Sequence, residues 1–243
     1  IVTGAARGIG AATARMAAAR GFSVAVNYAK DADAAEDVVA DIRNGGGEAV
    51  AVQADVSVEA DVMRLFATAE HEFGTVGALV NNAGITGGFA RVAEISAGAL
   101  ERVFAVNVIG PFLCAREAVR RMSTLRGGAG GAIVNVSSRA ARLGGPGEWV
   151  HYAASKGALD SLTVGLAREV ADEGIRVNGV AAGLIDTELH TLAGKPTRVR
   201  DLAPGIPLRR PGTAAEVAEA ILWLLSPAAS YVTGAITAVS GGR

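Results

Sequence analysis

Short apolar runs rich in Val and Ile alternate along the chain with longer segments whose apolar residues recur at helical spacing. The runs Ile1–Thr3, Ser23–Asn27, Ala49–Gln53, Ala78–Asn81, Ala132–Ser137, Ile175–Ala181 and Ala235–Val239 predict strands. The segments Ile9–Arg20, Ala34–Asn44, Glu59–Phe73, Leu100–Leu125, Tyr152–Glu173 and Ala214–Leu225 predict helices. The strand runs are continuously apolar rather than alternating, as expected of strands buried on both faces. Strict β-α alternation with such strands predicts a parallel sheet covered by helices on both sides. Gly127–Gly131 reads as a loop before the fifth run. Residues 188–210 carry Pro and Gly with weak periodicity. That stretch is too long for an ordinary connection and reads as a lid. The whole chain, 1–243, fits one domain.

Thr3-Gly4-Ala5-Ala6-Arg7-Gly8-Ile9-Gly10 lies between the first strand and the first helix. Gly4 permits a sharp turn, Gly8 lets backbone approach a pyrophosphate, and Gly10 lets the helix pack on the sheet. The helix N-terminus offers free N–H groups and partial positive charge to phosphate. The expectation is a doubly wound, Rossmann-type α/β domain that binds a dinucleotide. The second strand ends Asn27-Tyr28-Ala29, without the carboxylate that usually binds the ribose hydroxyls of NAD. Arg7 sits inside the loop, where a guanidinium suits a 2′-phosphate. NADP(H) is therefore expected ahead of NAD(H). Asp31 and Asp33 follow. Asp33 and Glu36 have the spacing of a helix capping box.

Tyr152 and Lys156 are spaced i, i+4 and share a helix face. A free tyrosine, with a pKa near ~10, is a poor base at neutral pH. A nearby ammonium favours the phenolate and brings it into working range. With this pair stand Asn81-Asn82-Ala83-Gly84 after the fourth strand, Asn107, Ser138 ending the fifth strand, and Tyr152-Ala153-Ala154-Ser155-Lys156. Along essentially its whole length the chain resembles a single-domain short-chain dehydrogenase/reductase. It comes nearest the reductases of 3-oxoacyl groups and the glucose-dehydrogenase-like members.

The resemblance implies a seven-stranded parallel sheet ordered 3-2-1-4-5-6-7. It implies Tyr152 as acid/base and Lys156 as partner of the nicotinamide ribose that lowers the tyrosine pKa. Ser138, preferred over Ser137, would bond the substrate oxygen. Asn107 would hold a water linking Lys156 to solvent. Cofactor contacts would come from Gly4, Arg7, Gly8, Ile9 and Gly10, and from Asn27, Tyr28 and Ala29. Asp55 and Val56 would flank the adenine, and Asn82, Ala83 and Gly84 the adenosine ribose. Gly183, Ile185 and Thr187 would meet the nicotinamide carboxamide. Ala182 stands where the family usually has Pro, and Ser240 where Asp is commoner. A homotetramer or homodimer is implied, with contacts from the helices Leu100–Leu125 and Tyr152–Glu173 and from Ala220–Val239 with Trp223.

Half the residues are hydrophobic and the net charge is −1, which gives no electrostatic reason to expect nucleic acid or an anionic membrane as partner. No window approaches 18 uninterrupted apolar residues. The single cysteine, Cys114, cannot form an internal disulfide or a thiolate zinc site, and fits a reducing cytoplasm. The chain starts without Met, so a few residues are expected before Ile1, and no signal peptide is visible. His71, His151 and His190 show no metal-ligand spacing, so no metal is expected. Substrate selectivity is expected from Arg139, Arg142, Leu143, Glu148, Trp149, His151, Leu189 and His190. The favoured substrate is a small carbonyl or alcohol. Arg168–Glu173 is net negative and would repel an acidic carrier protein, although Arg120, Arg121 and Arg126 oppose this. A 3-oxoacyl-carrier-protein reductase is one alternative. A cofactor-binding regulator with little catalysis is another.

Overall fold

The protein is described by a computed structural model covering residues 1–243, apart from the side chains of His190 and Leu192. Six strands form: β1 (Val24–Tyr28), β2 (Ala49–Gln53), β3 (Ala78–Asn81), β4 (Gly131–Ser138), β5 (Ile175–Ala182) and β6 (Ile236–Val239). All their pairings are parallel, β1 with β2 in one group and β3-β4-β5-β6 in the other. Seven strands were expected. The difference lies in the opening segment, where Ile1 and Thr3 also bond β3 but only Val2 forms a bridge. That residue bridges Val26 on one side and Val80 on the other. Thr3 turns away at once into the glycine loop, so the segment is too short to register as a strand. It still occupies the gap between β1 and β3.

The helices are α1 (Gly8–Ala18), α2 (Ala32–Asn44), α3 (Glu59–Phe73), α4 (Ala97–Phe104), α5 (Gly110–Met122), α6 (Ala140–Leu143), α7 (Val150–Glu169), α8 (Leu189–Leu192), α9 (Arg198–Leu202) and α10 (Ala214–Leu225). Alternate residues of β4 feed opposite faces of the sheet. Val134 and Val136 join a core with α1, α2 and α10, whereas Ile133 joins one with α3, α5 and α7. This is why the strand reads as continuously apolar.

Three helix expectations are corrected. The expected Leu100–Leu125 helix is α4 and α5 joined by a π turn at Ala105–Ile109, where the Gly110 N–H reaches back to the Ala105 carbonyl. The expected Tyr152–Glu173 helix starts at Val150 and ends at Glu169, followed by a 3₁₀ turn at Ala171–Glu173. Asp31, not Asp33, caps α2, accepting from the Ala34 N–H at 3.2 Å. A capping box does exist, but at Thr213 and Glu216 of α10. On length and composition the helical run Ala97–Met122 is apolar enough to cross a membrane. Its inner residues, among them Cys114 and Met122, pack into the core.

Candidate active site

The glycine loop is held from below by two asparagines. Asn27 accepts from the Gly4 N–H at 3.1 Å, and its amide donates to the carbonyls of Val52 and Ala54 at 3.2 and 3.0 Å. Its whole amide is thus spent on scaffold beneath the loop. Asn82 donates to Thr3 O and Gly4 O at 2.9 and 3.0 Å. Gly4 and Gly8 hold φ of +60° and +54°, a region that side chains with a Cβ rarely adopt. A Cβ on Gly4 would lie 2.9 Å from the Ala83 Cα. The expected loop residues Asn82 and Ala83 therefore pack directly on the glycine turn. Thr187 meets it from the other side, 3.4 Å from where a Gly8 Cβ would be. The Gly183–Thr187 turn and the loop thus form two lips of one cleft at the C-terminal end of the sheet.

A dinucleotide fits this cradle. Its floor is backbone that no Cβ could share, and the N-terminus of α1 opens into it. Tyr28 ends β1 beside it, and Ala29 follows. Asp55 and Val56 follow β2. Burial alone would raise the Asp55 carboxyl, but bonds from Ser57 and Arg102 prevail and hold it below the usual carboxylate range. Ile185 is buried and bridges Gly212. The end of β6 packs here too, because a Cβ on Gly183 would lie 2.6 Å from the Ser240 Cα.

Ser138 ends β4, and Tyr152 and Lys156 lie one turn apart near the start of α7. Both α7 residues are buried. The Lys156 Nζ donates to the Val136 carbonyl at 2.7 Å and lies 5.8 Å from the Tyr152 ring centroid. Burial pushes the Tyr152 phenol up to about 12, and a hydrogen bond from Ser138 opposes this. Burial lowers Lys156 to about 8, opposed by the charge of Asp160. At neutral pH the free protein therefore holds a protonated phenol beside an ammonium. Ser137 faces elsewhere, with its hydroxyl donating to Asp160 at 2.5 Å. Of the two serines, Ser138 is the one at the phenol.

Asn107 sits in the π turn, fully buried. It accepts from the Ile85 N–H at 2.9 Å and donates to the Ile85 carbonyl at 2.8 Å and to the Ser155 hydroxyl at 3.0 Å. Ser155 donates in turn to the Tyr152 carbonyl at 2.7 Å. Asn107 thus ties the loop after β3 to the helix bearing Tyr152. Gly84 lies in the gap between them: a Cβ there would sit 3.4 Å from the Asn107 Oδ1 and 3.5 Å from the Lys156 Nζ.

Around this centre the expected selectivity residues separate. Trp149 meets the Tyr152 ring edge-on with centroids 5.5 Å apart and stacks on Phe89 at 4.6 Å. Glu148 takes a two-pronged pair from Arg198 of α9, at 2.8 and 2.7 Å. The Arg198 guanidinium lies 4.7 Å from the Trp149 ring centroid, and the Lys195 ammonium 4.3 Å from that of Phe89. Segment 188–210 thus docks beside Tyr152 through this pair. Phe89, Lys195 and Arg198 were not anticipated, because nothing in their own sequence neighbourhood sets them apart. His151 faces away from the phenol, bonded to the Thr86 carbonyl at 2.8 Å. Arg139 donates to the Arg243 carbonyl at 2.7 Å. Arg142 and Leu143 are exposed, and Leu189 is partly exposed. The side chain of His190 lies outside the described residues. Among the described residues no cluster of His, Cys, Asp or Glu could hold a metal ion.

The sequence matches, over residues 4–243, the family described as enoyl-(acyl carrier protein) reductase. An uncharacterized oxidoreductase of Escherichia coli K12, YgfF, is 52% identical over 100% of this chain and 98% of its own length. The chain belongs to the short-chain dehydrogenase/reductase family. Among other members, glucose 1-dehydrogenase 2 of Bacillus subtilis 168 is 40% identical over 100% of this chain and 93% of its own. The crystal structure of a blue fluorescent protein from a metagenomic library, in complex with NADPH, superposes with a TM-score of 0.90 at 36% identity, covering 99% of this chain and 95% of that one. As a short-chain dehydrogenase/reductase, the protein is an oxidoreductase that uses a nicotinamide cofactor and acts on small-molecule substrates.

Proposed function

We propose that the protein is an NADP(H)-dependent oxidoreductase that reduces a small free ketone or aldehyde, or oxidises a secondary alcohol in reverse. The observation that carries this reading is the meeting of the Tyr152 phenol with Ser138 and Lys156 at the C-terminal end of β4. The nicotinamide supplies or accepts the hydride. In reduction, the Tyr152 proton passes to the substrate oxygen. The Lys156 ammonium and the positive N-terminus of α7 favour the phenolate left behind. Ser138 donates to the same oxygen as charge develops on it. Asn107 holds the Ile85 backbone next to Gly84, and a water held there would link the Lys156 ammonium to solvent. Segment 188–210 acts as the lid of the single domain.

Arg7 at the glycine loop, with no acid at Tyr28, favours the 2′-phosphate. The Arg168–Glu173 segment disfavours an acidic carrier. The family description names a carrier-protein substrate, so carrier-bound acyl reduction is the second reading. A regulator with little catalysis is disfavoured by the complete Asn107, Ser138, Tyr152 and Lys156 set. The test is a panel of small ketones, sugars, a free 3-oxoacyl thioester and its carrier-bound form, each with NADPH and NADH. NADPH should be preferred, and Arg7→Ala should shrink the preference. A large kcat/KM advantage for the carrier-bound thioester, falling steeply with salt, would move the second reading to first.

Self-association belongs to the same proposal. The groove between α5 and α7, about 770 Å³, is lined by Phe112, Arg120, Arg126, Leu162 and Glu169. Ile109 and Phe112 beside it are half exposed. A two-fold axis through this face would set the α5 arginines of each copy against Glu169 of the other and cover the apolar outer side of Ala97–Met122. Light scattering at micromolar concentration should give a dimer or tetramer, and Phe112→Glu should break it into smaller species. A monomeric wild type would refute this. The buried Cys114 thiol, pushed up to about 12 by burial and by Glu117, is unreactive, and a reducing cytoplasm is proposed only on the single-cysteine count.

A further inference from the structure

Arg7 and Asp31 face each other across the mouth of the glycine loop. The Arg7 Nη2 donates to the Asp31 Oδ2 at 2.6 Å, and both side chains are about two-fifths exposed. The second Asp31 oxygen accepts the Ala34 N–H at the start of α2, so its carboxylate is fixed in place by the helix it caps. The pair borders a cavity of about 480 Å³ that also touches Gly8, Arg15, Thr187 and Glu188. The only guanidinium inside the glycine loop is therefore already engaged in the free protein, by a carboxylate that cannot swing away without uncapping α2.

We propose that Asp31 is a positioning residue that tunes cofactor choice by holding Arg7. This rests on the NADP(H) reading above. A 2′-phosphate must share Arg7 with Asp31 or take it away, and in either case tolerate a like charge close by. A 2′-hydroxyl carries no charge, needs no guanidinium, and meets neither cost. Asp31 thus weakens NADPH binding selectively and narrows the gap between the two cofactors. Exposure limits the size of the effect, since an exposed ion pair contributes little.

Asp31→Asn is the direct test, because Asn caps a helix about as well as Asp while losing the charge. Titration of the free protein with each reduced cofactor, followed by nicotinamide fluorescence, gives both dissociation constants without turnover. NADPH should bind about three- to tenfold more tightly to the variant, with a smaller gain at high salt. NADH affinity should change by less than about twofold, and the melting temperature should stay at the wild-type value. Asp31→Ser, which also caps, guards against a folding defect peculiar to Asn. In an Arg7→Ala background most of the gain should vanish, which a purely structural role for Asp31 would not produce. Unchanged NADPH affinity with a full Arg7→Ala effect overturns the inference and leaves the NADP(H) reading intact. A severalfold loss of NADH affinity also overturns it, because Asp31 would then be a ribose-hydroxyl acceptor. A wild type that prefers NADH, with no Arg7→Ala effect, instead sinks the reading beneath it.

Discussion

Replacing Tyr152 by Phe is expected to lower kcat by about 10²–10⁴-fold, the usual worth of a positioned general acid. The ring itself stays. Phe keeps the edge-on contact with Trp149 and the closeness to Lys156, so cofactor affinity should change little. Only the hydroxyl is lost, and with it the proton that must reach the nascent alkoxide. The neighbouring groups are poor substitutes. His151 is turned toward the Thr86 carbonyl, and the Lys156 ammonium is committed to the Val136 carbonyl. The loss should therefore fall on kcat, and titration of the variant with NADPH should resemble wild type. Wild-type turnover on a true substrate would show that the proton comes from elsewhere.

Gly10→Ala should be the most damaging single methyl group in the cofactor cradle. The added Cβ would sit 2.4 Å from the Gly4 carbonyl oxygen, 2.5 Å from the Asn82 Nδ2 and 2.9 Å from the Ala5 Cα. Two of those atoms are backbone, and the third is locked by its own bonds to Thr3 and Gly4. No side chain can rotate aside, so the loop must shift. The expected cost is about 2–4 kcal/mol of stability, from overpacking and the loss of Asn82 hydrogen bonds. Cofactor binding should fall at least tenfold with it, because the displaced N–H groups are those that would face phosphate. Denaturant midpoints and NADPH titrations read both effects. Gly157→Ala on α7 is the control: its added Cβ meets nothing within 4 Å, so the exchange should be neutral or stabilising by up to about 1 kcal/mol. Equal midpoints for Gly10→Ala and Gly157→Ala would mean that the loop is far softer than its contacts suggest.

What could be read from the sequence was what depends on neighbours along the chain. Helices α3 and α10 lie where periodicity placed them, because their apolar stripes and flanking breaks are local. Tyr152 and Lys156 share a helix face by spacing alone. That Ser137 and Ser138 point to opposite faces is local too, but which of them meets the phenol is not, and the preference for Ser138 rests on the family resemblance alone. The misses depend on distant partners. Ile1–Thr3 looked like a strand, but its length is cut short by the turn at Gly4. The π turn has no pattern of its own and serves the fit of Asn107 against Ile85 and Ser155. The buried ladder in which Asn81 donates to Asn135, and Asn135 to Thr163, spans β3, β4 and α7. Asn135 and Thr163 look like ordinary polar interruptions until the sheet aligns them with Asn81. Arg198 and Phe89 meet only because segment 188–210 folds back over Glu148.

The π turn also acts as a phase shifter. One residue advances an α-helix by about 100°, so the extra residue in Ala105–Ile109 rotates everything after it by roughly that angle relative to a regular helix. Asn107 can therefore face the active site while Phe112 and Ala115, one and two turns later, face the groove against α7. Deleting a single residue here would tidy the helix and uncouple these two orientations. The side of α5 that now lines the groove against α7 would turn away from it by roughly the same angle. Insertions and deletions in Ala105–Ile109 thus carry a penalty unrelated to the chemistry of the residue added or removed, because they would break the angular agreement between catalytic centre and outer surface.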